Sequence, residues 1–253
     1  MYIRPVTRLS VNVNKVATVR NSRGGDVPDL LAAVRVCIES GVTSITVHPR
    51  DDERHITRND TREIAKLLQA KYPQVEYNIE GDPRPAWMDL ASECKPTQAT
   101  LVPVRPGEVT SEAGFDPRRD SAVVQPAVAR LKAEGIRVSL FVDPELTPIS
   151  WARDMGADRV ELYTEPFARA FAAGSGEGKA SFQRYVRAAE HAHSLGLGIN
   201  AGHDLDLDNL VLFRTLPHLD EVSIGHALIS RALFVGLAKV CEEYLACLRI
   251  SKH

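Results

Sequence analysis

Histidine and carboxylate side chains of this chain recur inside or just after short β-like runs. His48 and His203 each follow such a run, whereas Glu76 and Glu161 lie inside one. Imidazole and carboxyl groups are the side chains that most often move protons near neutral pH. A buried, unpaired carboxylate costs on the order of several kcal/mol, so a glutamate in an apolar strand indicates either an ion pair or a site. We predict catalytic roles for all four residues.

A second carboxylate in the third β-like run competes with Glu76. Glu76, Asn78 and Glu80 alternate along the run and therefore share one face of a strand. Glu80 is followed by Gly81, which would place it on the rim of a site. We therefore prefer Glu76 as the catalytic residue and keep Glu80 as the alternative.

Glycine-containing turns and arginines indicate anion binding. The segment Ser-Ile-Gly-His opens directly into a helix-like stretch, where Gly225 permits close approach to free N–H groups and His226 follows. The turn Ala-Gly-His-Asp, which contains Asp204, has a similar glycine. A second anion site is predicted from guanidinium groups, which bind phosphate in a bidentate manner: Arg20, Arg23, Arg50 and Arg54. Simple solvent exposure is the alternative, and we expect it for Arg54.

A metal centre is the natural rival for a cluster of histidines and glutamates. His191 and His193 form an HxH pair, but they lie in a helix-like stretch, where residues two apart do not face each other. Zinc usually takes three or four converging ligands, and the other histidines come from different strands without an Asp-rich set. We predict no metal and no other cofactor.

Eight β-like runs alternate with eight helix-like segments along the chain. The runs are 9–13, 44–47, 75–79, 99–102, 137–142, 159–162, 198–201 and 221–224. The segments, with apolar residues at helical spacing, are 29–40, 60–71, 85–94, 121–134, 147–155, 179–195, 208–216 and 227–248. Crossovers of this kind make the strands parallel. We predict an α/β fold, a (β/α)8 TIM barrel, as a single domain over residues 1–253. A doubly wound sheet is disfavoured because no GxGxxG follows the first run.

Three connections are longer than the rest: 14–27, 103–120 and 164–178. All follow the carboxyl ends of predicted strands, the face on which such barrels carry active sites. We predict substrate loops or lids at these positions, with tolerated surface insertions as the alternative.

Composition excludes several classes of protein. The 253 residues are 44% hydrophobic and 25% charged, with a net charge of −2, which excludes a disordered chain and argues against a general nucleic-acid binder. No apolar run of about 18 residues predicts a membrane span, and the N-terminus lacks a secretory pattern. Four cysteines without a CxxC pair predict reduced thiols and a cytoplasmic location.

Eight segments spread over nearly the whole chain carry a specific combination of motifs: LSVNVNKVATVRNSRGG, ITVHPRDDERHIT, VEYNIEG, LVPVRPGEVTSEAGFD, RVSLFVD, VELYTEPFA, LGLGINAGHDL and SIGHALISRAL. Together they resemble the pyridoxine 5′-phosphate synthase family of vitamin B6 biosynthesis. The resemblance implies a TIM barrel with extra helices, assembled as a homo-octamer. It also implies a ring-closing transferase that condenses 1-deoxy-D-xylulose 5-phosphate with 3-amino-2-oxopropyl phosphate. The products are pyridoxine 5′-phosphate, phosphate and water.

The same resemblance implies individual roles. His48 and Glu76 match proton acceptors, His203 matches a proton donor, and Glu161 matches a group that stabilises charge in the transition state. The residues matching positions that hold the deoxyxylulose phosphate are Arg50, His55 and Thr110. Those matching positions that hold the amino ketone phosphate are Asn12, Arg23, Asp204, Gly225 and His226.

Two departures from the family pattern concern substrate binding. Asn14 and Lys15 stand where the motif has Asp-His, and a lysine ammonium binds phosphate or hydroxyl but does not act as an imidazole. Asp204 stands where glycine is expected. A carboxylate repels phosphate, so we expect the backbone N–H of Asp204 to make the contact.

Two other functions stay open. A Schiff-base aldolase acting on a phosphosugar would use Lys15, although an aldolase of the best-known type has lysine where Glu161 stands. A non-catalytic barrel that binds phosphorylated metabolites would keep the glycines and arginines, but it has no need for His48, Glu76 and His203 together.

Overall fold

A computed structural model describes residues 6–105 and 111–249 and shows eight parallel strands in a closed barrel. The strands are β1 (Arg8–Asn12), β2 (Ser44–Val47), β3 (Glu76–Gly81), β4 (Gln98–Leu101), β5 (Arg137–Val142), β6 (Arg159–Tyr163), β7 (Gly198–Gly202) and β8 (Leu219–Ile224). The predicted TIM barrel is confirmed, and every predicted strand end falls within two residues of the observed one. Thr110, assigned above to substrate binding, lies outside the described residues.

The helices follow the strands around the outside of the barrel. They are α1 (Asn14–Asn21), α2 (Leu30–Glu39), α3 (Arg58–Lys71), α4 (Pro85–Cys94), α5 (Pro117–Ala133), α6 (Leu146–Asp154), α7 (Glu165–Ala173), α8 (Ser175–Ser194), α9 (Leu207–Phe213), α10 (His226–Val235) and α11 (Leu237–Leu248). Side-chain caps define where some of these helices begin. Thr57 and Asp60, for example, form a reciprocal capping box at α3. Within the described ranges, no helix has the length and apolarity needed to cross a membrane.

The strand register brings all carboxyl ends to one side of the barrel. Each strand pairs in parallel with its successor, and β8 closes onto β1. Asn12 pairs with Thr46, and Thr46 pairs with Asn78, so the inward-facing residues of neighbouring strands form layers. Residues that directly follow the strands therefore converge, as their positions in the sequence predict.

The middle of the barrel interior is polar. Ser10 Oγ lies 2.6 Å from Thr46 Oγ1, and Asn78 Nδ2 donates to Thr46 Oγ1 at 3.2 Å. Thr100 Oγ1 donates to Asn78 Oδ1 at 2.9 Å. These hydrogen bonds offset the cost of burying the polar groups. The alternate positions on the same strands are apolar, fully buried and directed outward, including Val11, Ile45 and Ile79.

Parts of two segments predicted as loops are helical. Residues 14–27 begin with α1, and residues 164–178 contain α7 and the start of α8. The ring of Phe167 in α7 packs 5.0 Å from Phe213 and 5.9 Å from Tyr185, measured between ring centroids. Tertiary packing of this kind stabilises a nine-residue helix that would be marginal alone.

The predicted segment 227–248 is two helices rather than one. It divides at Gly236, whose φ of 89° lies in the left-handed region and ends α10 before α11 begins. The third long connection, 103–120, ends earlier than predicted because α5 starts at Pro117, a favoured first helical residue.

Candidate active site

The carboxyl ends of the strands surround a cavity of about 590 Å³. Five strands and the loops after them, β1, β2, β6, β7 and β8, bring predicted site residues to it. The predicted residues that line the cavity are Asn12, Asn14, Lys15, His48, Arg50, His55, Glu161, His203, Asp204, Gly225 and His226. Most of the predicted cluster is therefore assembled in one place.

His48 is held at the end of β2 by its own backbone. Its N–H donates to Asn14 Oδ1 at 3.0 Å, and the N–H of Asn14 donates to Asn12 Oδ1 at 3.0 Å. Burial, together with the nearby charges of His55 and Arg50, lowers the pKa of His48 to about 3. The imidazole is therefore neutral at neutral pH and able to accept a proton.

Glu161 points into the base of the cavity from β6. The residue is 4% exposed, and its Oε2 has no hydrogen-bond partner within the described part of the chain. Burial first, and then the nearby Glu221, raise the pKa of Glu161 to about 8. The carboxyl group therefore holds its proton at neutral pH. A Cβ at Gly202 would lie 2.5 Å from Glu161 Oε1, so the adjacent strand requires glycine there.

Glu76 does not lie at this site, which corrects its predicted placement. It is the first residue of β3, at the opposite end of the barrel, and it bonds with Arg8 and Arg137. Burial alone would raise the pKa of Glu76, but the two guanidinium groups hold it below the usual value. Glu80, four residues later on the same face, lines the cavity instead. At about 3.3 Å per residue the two carboxyl groups are separated by roughly 13 Å along the strand.

His203 and Asp204 form a strained pair at the end of β7. Their φ angles are 92° and 58°, a left-handed conformation that non-glycine residues rarely adopt. Thr164 stabilises the turn, because its hydroxyl donates to the carbonyls of Gly202, at 2.7 Å, and of His203. His203 Nδ1 lies 3.2 Å from Asp204 Oδ2, and this interaction lowers the pKa of Asp204. The Asp204 carboxylate is thus directed at the His203 imidazole. This leaves the backbone N–H of Asp204 as the group expected to contact a phosphate.

Gly225 precedes the first residue of α10, His226, and no side chain caps this helix start. A Cβ on Gly225 would lie 3.1 Å from Asn12 Cβ and 3.2 Å from Asn12 O. Glycine is therefore required for the close packing of the two strand ends. The free N–H groups of the helix face the same cavity as Asn12 and favour an anion there.

A second group of cationic residues lines the cavity after β1 and β2. Arg50 is buried, and Lys15 and His55 lie beside it. Burial and the charges of Lys15 and Arg50 lower the pKa of His55 to about 4, so the two permanent cations dominate there. A phosphate group would find positive charge and hydrogen-bond donors at this position.

The remaining predicted arginines have other surroundings. Arg20 makes two hydrogen bonds to Asp60, at 2.7 and 2.8 Å, and joins α1 to α3. Arg54 lines the cavity and also pairs with Asp52 at 2.5 Å. Arg23 is exposed after the end of α1 and is not among the residues that line the cavity.

Several residues that line the cavity were not predicted from the sequence, among them Phe141 and Ser111. Phe141 pairs in register with Glu161, and its ring lies 5.4 Å from that of Tyr163, which in turn lies 5.1 Å from His203. Alternation along β5 was the available signal for Phe141. Ser111 lies in a long loop without a periodic signal.

The HxH pair of α8 diverges. His191 Nε2 lies 2.7 Å from Ser150 Oγ, whereas the ring of His193 stacks on His218 at 3.6 Å between centroids. In the described ranges, no three His, Cys, Asp or Glu side chains are grouped as metal ligands would be.

The fold and the cavity together define a TIM-barrel protein built to bind anions and to move protons. The chain belongs to the family described as pyridoxal phosphate biosynthesis protein PdxJ, whose profile matches residues 9–250. The pyridoxine 5′-phosphate synthase of Porphyromonas gingivalis is 52% identical over 240 residues, covering 94% of this chain and 98% of the relative. The protein of that name from Leptospira biflexa is 47% identical over 258 residues, covering 98% and 99%.

Solved structures show the same architecture at low identity. A 3-hexulose-6-phosphate synthase is similar with a TM-score of 0.62 and 14% identity, covering 96% of this chain and all of the other. A tryptophan synthase from M. tuberculosis gives a TM-score of 0.65 and 13% identity, covering 97% and 93%. At these identities the likeness concerns the fold alone, which it supports independently.

Proposed function

We propose that this protein is a pyridoxine 5′-phosphate synthase. It condenses 1-deoxy-D-xylulose 5-phosphate with 3-amino-2-oxopropyl phosphate and releases pyridoxine 5′-phosphate, phosphate and water. One observation carries this proposal beyond family membership. A single cavity combines a histidine whose pKa is lowered to about 3, a glutamate whose pKa is raised to about 8 and two groups of residues suited to phosphate.

The two anion-binding regions divide the substrates between them. The N-terminus of α10, with Gly225, His226 and Asn12, would hold the amino ketone phosphate, and the backbone of Asp204 lies beside it. Arg50, His55 and Lys15 would hold the deoxyxylulose phosphate, and Asn14 links this side to His48. Arg23, which the resemblance also assigns to the amino ketone phosphate, is exposed after α1 and does not line the cavity.

The acid and base roles combine the family resemblance with the shifted pKa values of His48 and Glu161. His48, whose pKa burial lowers to about 3, would accept protons, and the family resemblance assigns proton donation to His203. Glu161, which holds a proton in a buried position, would stabilise negative charge that develops on a substrate oxygen by donating a hydrogen bond. Schiff-base formation, phosphate loss and ring closure each need such proton transfers.

The proposed protein is a cytoplasmic homo-oligomer, an octamer by family resemblance. Leu233 and Phe234 at the end of α10 are 72% and 90% exposed, which supports an apolar contact between copies. Cys37, Cys94, Cys241 and Cys247 are unpaired thiols, as is usual in a reducing compartment. Light scattering on the purified protein measures the oligomeric state.

The direct test supplies both phosphorylated substrates to the purified protein without added cofactor. Formation of pyridoxine 5′-phosphate with equimolar phosphate supports the proposal, and His48→Gln serves as the inactive control. Borohydride reduction in the presence of the deoxyxylulose phosphate alone tests the aldolase alternative. A covalent adduct on Lys15 without pyridoxine 5′-phosphate formation would favour the aldolase.

A further inference from the structure

Most side chains that line the cavity are polar or charged, but one part of its wall is apolar. Val102 directly follows β4, Phe141 lies in β5, and Tyr163 ends β6. All three side chains are buried, and they form a cluster separate from the main apolar core of the barrel. Val102 and Phe141 line the cavity, and the ring of Tyr163 lies 5.4 Å from that of Phe141. We call these three residues the apolar wall.

Backbone carbonyl and N–H groups hold the apolar wall in place. The N–H of Val102 donates to the carbonyl of the last residue of β3 at 2.9 Å, and the N–H of Phe115 donates to the carbonyl of Phe141 at 3.1 Å. The Tyr185 hydroxyl donates to the carbonyl of Tyr163 at 2.7 Å. A surface fixed in this way is preformed for a ligand and loses little conformational freedom when the ligand binds.

The apolar wall lies across the barrel from two cationic residues of the cavity. Because the strands follow one another in order around a closed barrel, β5 is opposite β1, and β6 is opposite β2. Lys15 follows β1, and Arg50 follows β2. A ligand that spans the cavity would therefore meet positive charge at one end and apolar surface at the other.

Glu161 joins the apolar wall to the chemistry of the site. It pairs in register with Phe141 on the neighbouring strand. Its Oε2 is buried and lacks a hydrogen-bond partner among the residues described. A buried polar atom without a partner is rare in proteins and, in a residue that lines a cavity, indicates a ligand. A ligand oxygen that is adjacent to an apolar group would meet both Glu161 and Phe141.

We propose that the apolar wall binds the methyl group of 1-deoxy-D-xylulose 5-phosphate and thereby selects the deoxy sugar, an inference that rests on the proposed function. In this substrate the phosphate and the methyl group are at opposite ends of the carbon chain, and the ketone is adjacent to the methyl group. With the phosphate beside Arg50 and Lys15, the methyl group contacts the apolar wall. The ketone oxygen then faces Glu161. The residues of the apolar wall therefore determine specificity at the methyl end.

The competitor that this arrangement rejects is D-xylulose 5-phosphate, which has a hydroxymethyl group in place of the methyl group. Its additional hydroxyl would lose hydrogen bonds to water and gain none from Val102 or Phe141. An apolar pocket rejects an added hydroxyl group only by roughly 10²-fold. We therefore expect the protein to bind the deoxy sugar roughly 10- to 100-fold more tightly than D-xylulose 5-phosphate.

Calorimetry with each sugar phosphate, in the absence of the amino ketone phosphate, measures this preference. The two probes differ only in the terminal group. Val102→Thr keeps the shape of the side chain and adds a hydroxyl that can pair with the hydroxymethyl group. It should lower the ratio of the two affinities roughly 3- to 10-fold. Val142→Thr is the matched control, because Val142 is fully buried beside Phe141 in sequence but belongs to the main core. It should leave the ratio unchanged.

Equal affinities of the parent protein for the two sugars overturn the proposal. A preference that persists undiminished in Val102→Thr also overturns it, because the methyl group then binds elsewhere. If Val102→Thr does not fold, Phe141→Leu takes its place and should lower the ratio at least about threefold. An unchanged ratio in that variant overturns the proposal instead.

The turnover assay separates this inference from the proposed function. If the parent protein forms pyridoxine 5′-phosphate from both phosphorylated substrates, the contrary binding results refute the role of the apolar wall alone. A parent protein that binds neither sugar phosphate and forms no product refutes the proposed function and the selection of the methyl group together.

Discussion

The two ends of the barrel interior use the same residue type in opposite ways. Glu76, at the amino end of β3, bonds with Arg8 and Arg137 and has a lowered pKa. Glu80 and Glu161, at the carboxyl end, lack such cationic partners within the described residues and have raised pKa values. The partner, rather than the residue, decides whether a buried glutamate stabilises the fold or carries a proton.

This difference agrees with the division of labour in TIM barrels. The amino-terminal face serves stability, and the carboxyl-terminal face carries the site. Four residues on one strand separate the two functions here. The comparison therefore makes distinct predictions for isosteric changes at the two ends.

Glu161→Gln should have the largest effect on turnover. It removes a protonated carboxyl group that donates to developing negative charge, and kcat should fall roughly 10²–10³-fold. The free energy of unfolding should stay unchanged or rise, because the carboxyl group lacks a cationic partner. Steady-state kinetics and urea unfolding check the two expectations, and a stability loss without a turnover loss would reverse the comparison.

Gly225→Val should weaken binding of the amino ketone phosphate by at least about 30-fold, the loss expected when charge-assisted hydrogen bonds are blocked. The new side chain meets Asn12 at the start of α10. Calorimetry measures the affinity, and circular dichroism checks that the barrel is intact. Gly225→Ala is the matched control with a smaller loss, and wild-type affinity in the valine variant would exclude an anion at this helix end.

Glu76→Gln should lower the free energy of unfolding by about 1–3 kcal/mol, because Arg8 and Arg137 lose their shared charged acceptor. Its effect on turnover should be smaller than that of Glu161→Gln. Urea denaturation beside the kinetic assay measures both quantities. If Glu76→Gln lowers kcat more than Glu161→Gln does, Glu76 has the catalytic role that the sequence predicts for it.

The dependence of stability on pH should separate the two ends most finely. The pKa of Glu76 is lower in the folded protein than in the unfolded chain. Its contribution to the free energy of unfolding is therefore present above the unfolded-state pKa and is lost as pH falls through the folded-state pKa. The folded pKa of Glu161 is raised to about 8, so its contribution is complete below about pH 4 and declines as pH rises to about 8. Between pH 5 and 8 the raised pKa of Glu161 should make the free energy of unfolding of the parent protein fall as pH rises. This decline should be smaller in Glu161→Gln and unchanged in Glu76→Gln. Equal slopes in the two variants would contradict the assignment.

Much of this arrangement was predictable from local sequence. Alternation placed Glu76 and Glu80 on one face, and β-branched runs located β2 and β5 at their observed bounds. The depth of each glutamate in the barrel was not predictable, because it depends on register with β1 and β5, which supply Arg8 and Arg137. Helices α1 and α7 were missed because they are short and depend on distant partners, such as Asp60 for Arg20 and Phe213 for Phe167.

The layer of hydroxyl and amide groups from Ser10, Thr46, Asn78 and Thr100 separates the charged groups at the two ends of the barrel interior. It keeps the arginines of one end roughly 13 Å from Glu80, given the rise of a strand. At an effective dielectric constant of about 20, a full charge at that distance stabilises a carboxylate by about 1.3 kcal/mol, or about one pKa unit. At about 3 Å the same charge would act roughly four times as strongly and would oppose the rise in the pKa of Glu80 that burial causes. The length of the barrel is therefore itself a determinant of the acidity of the cavity.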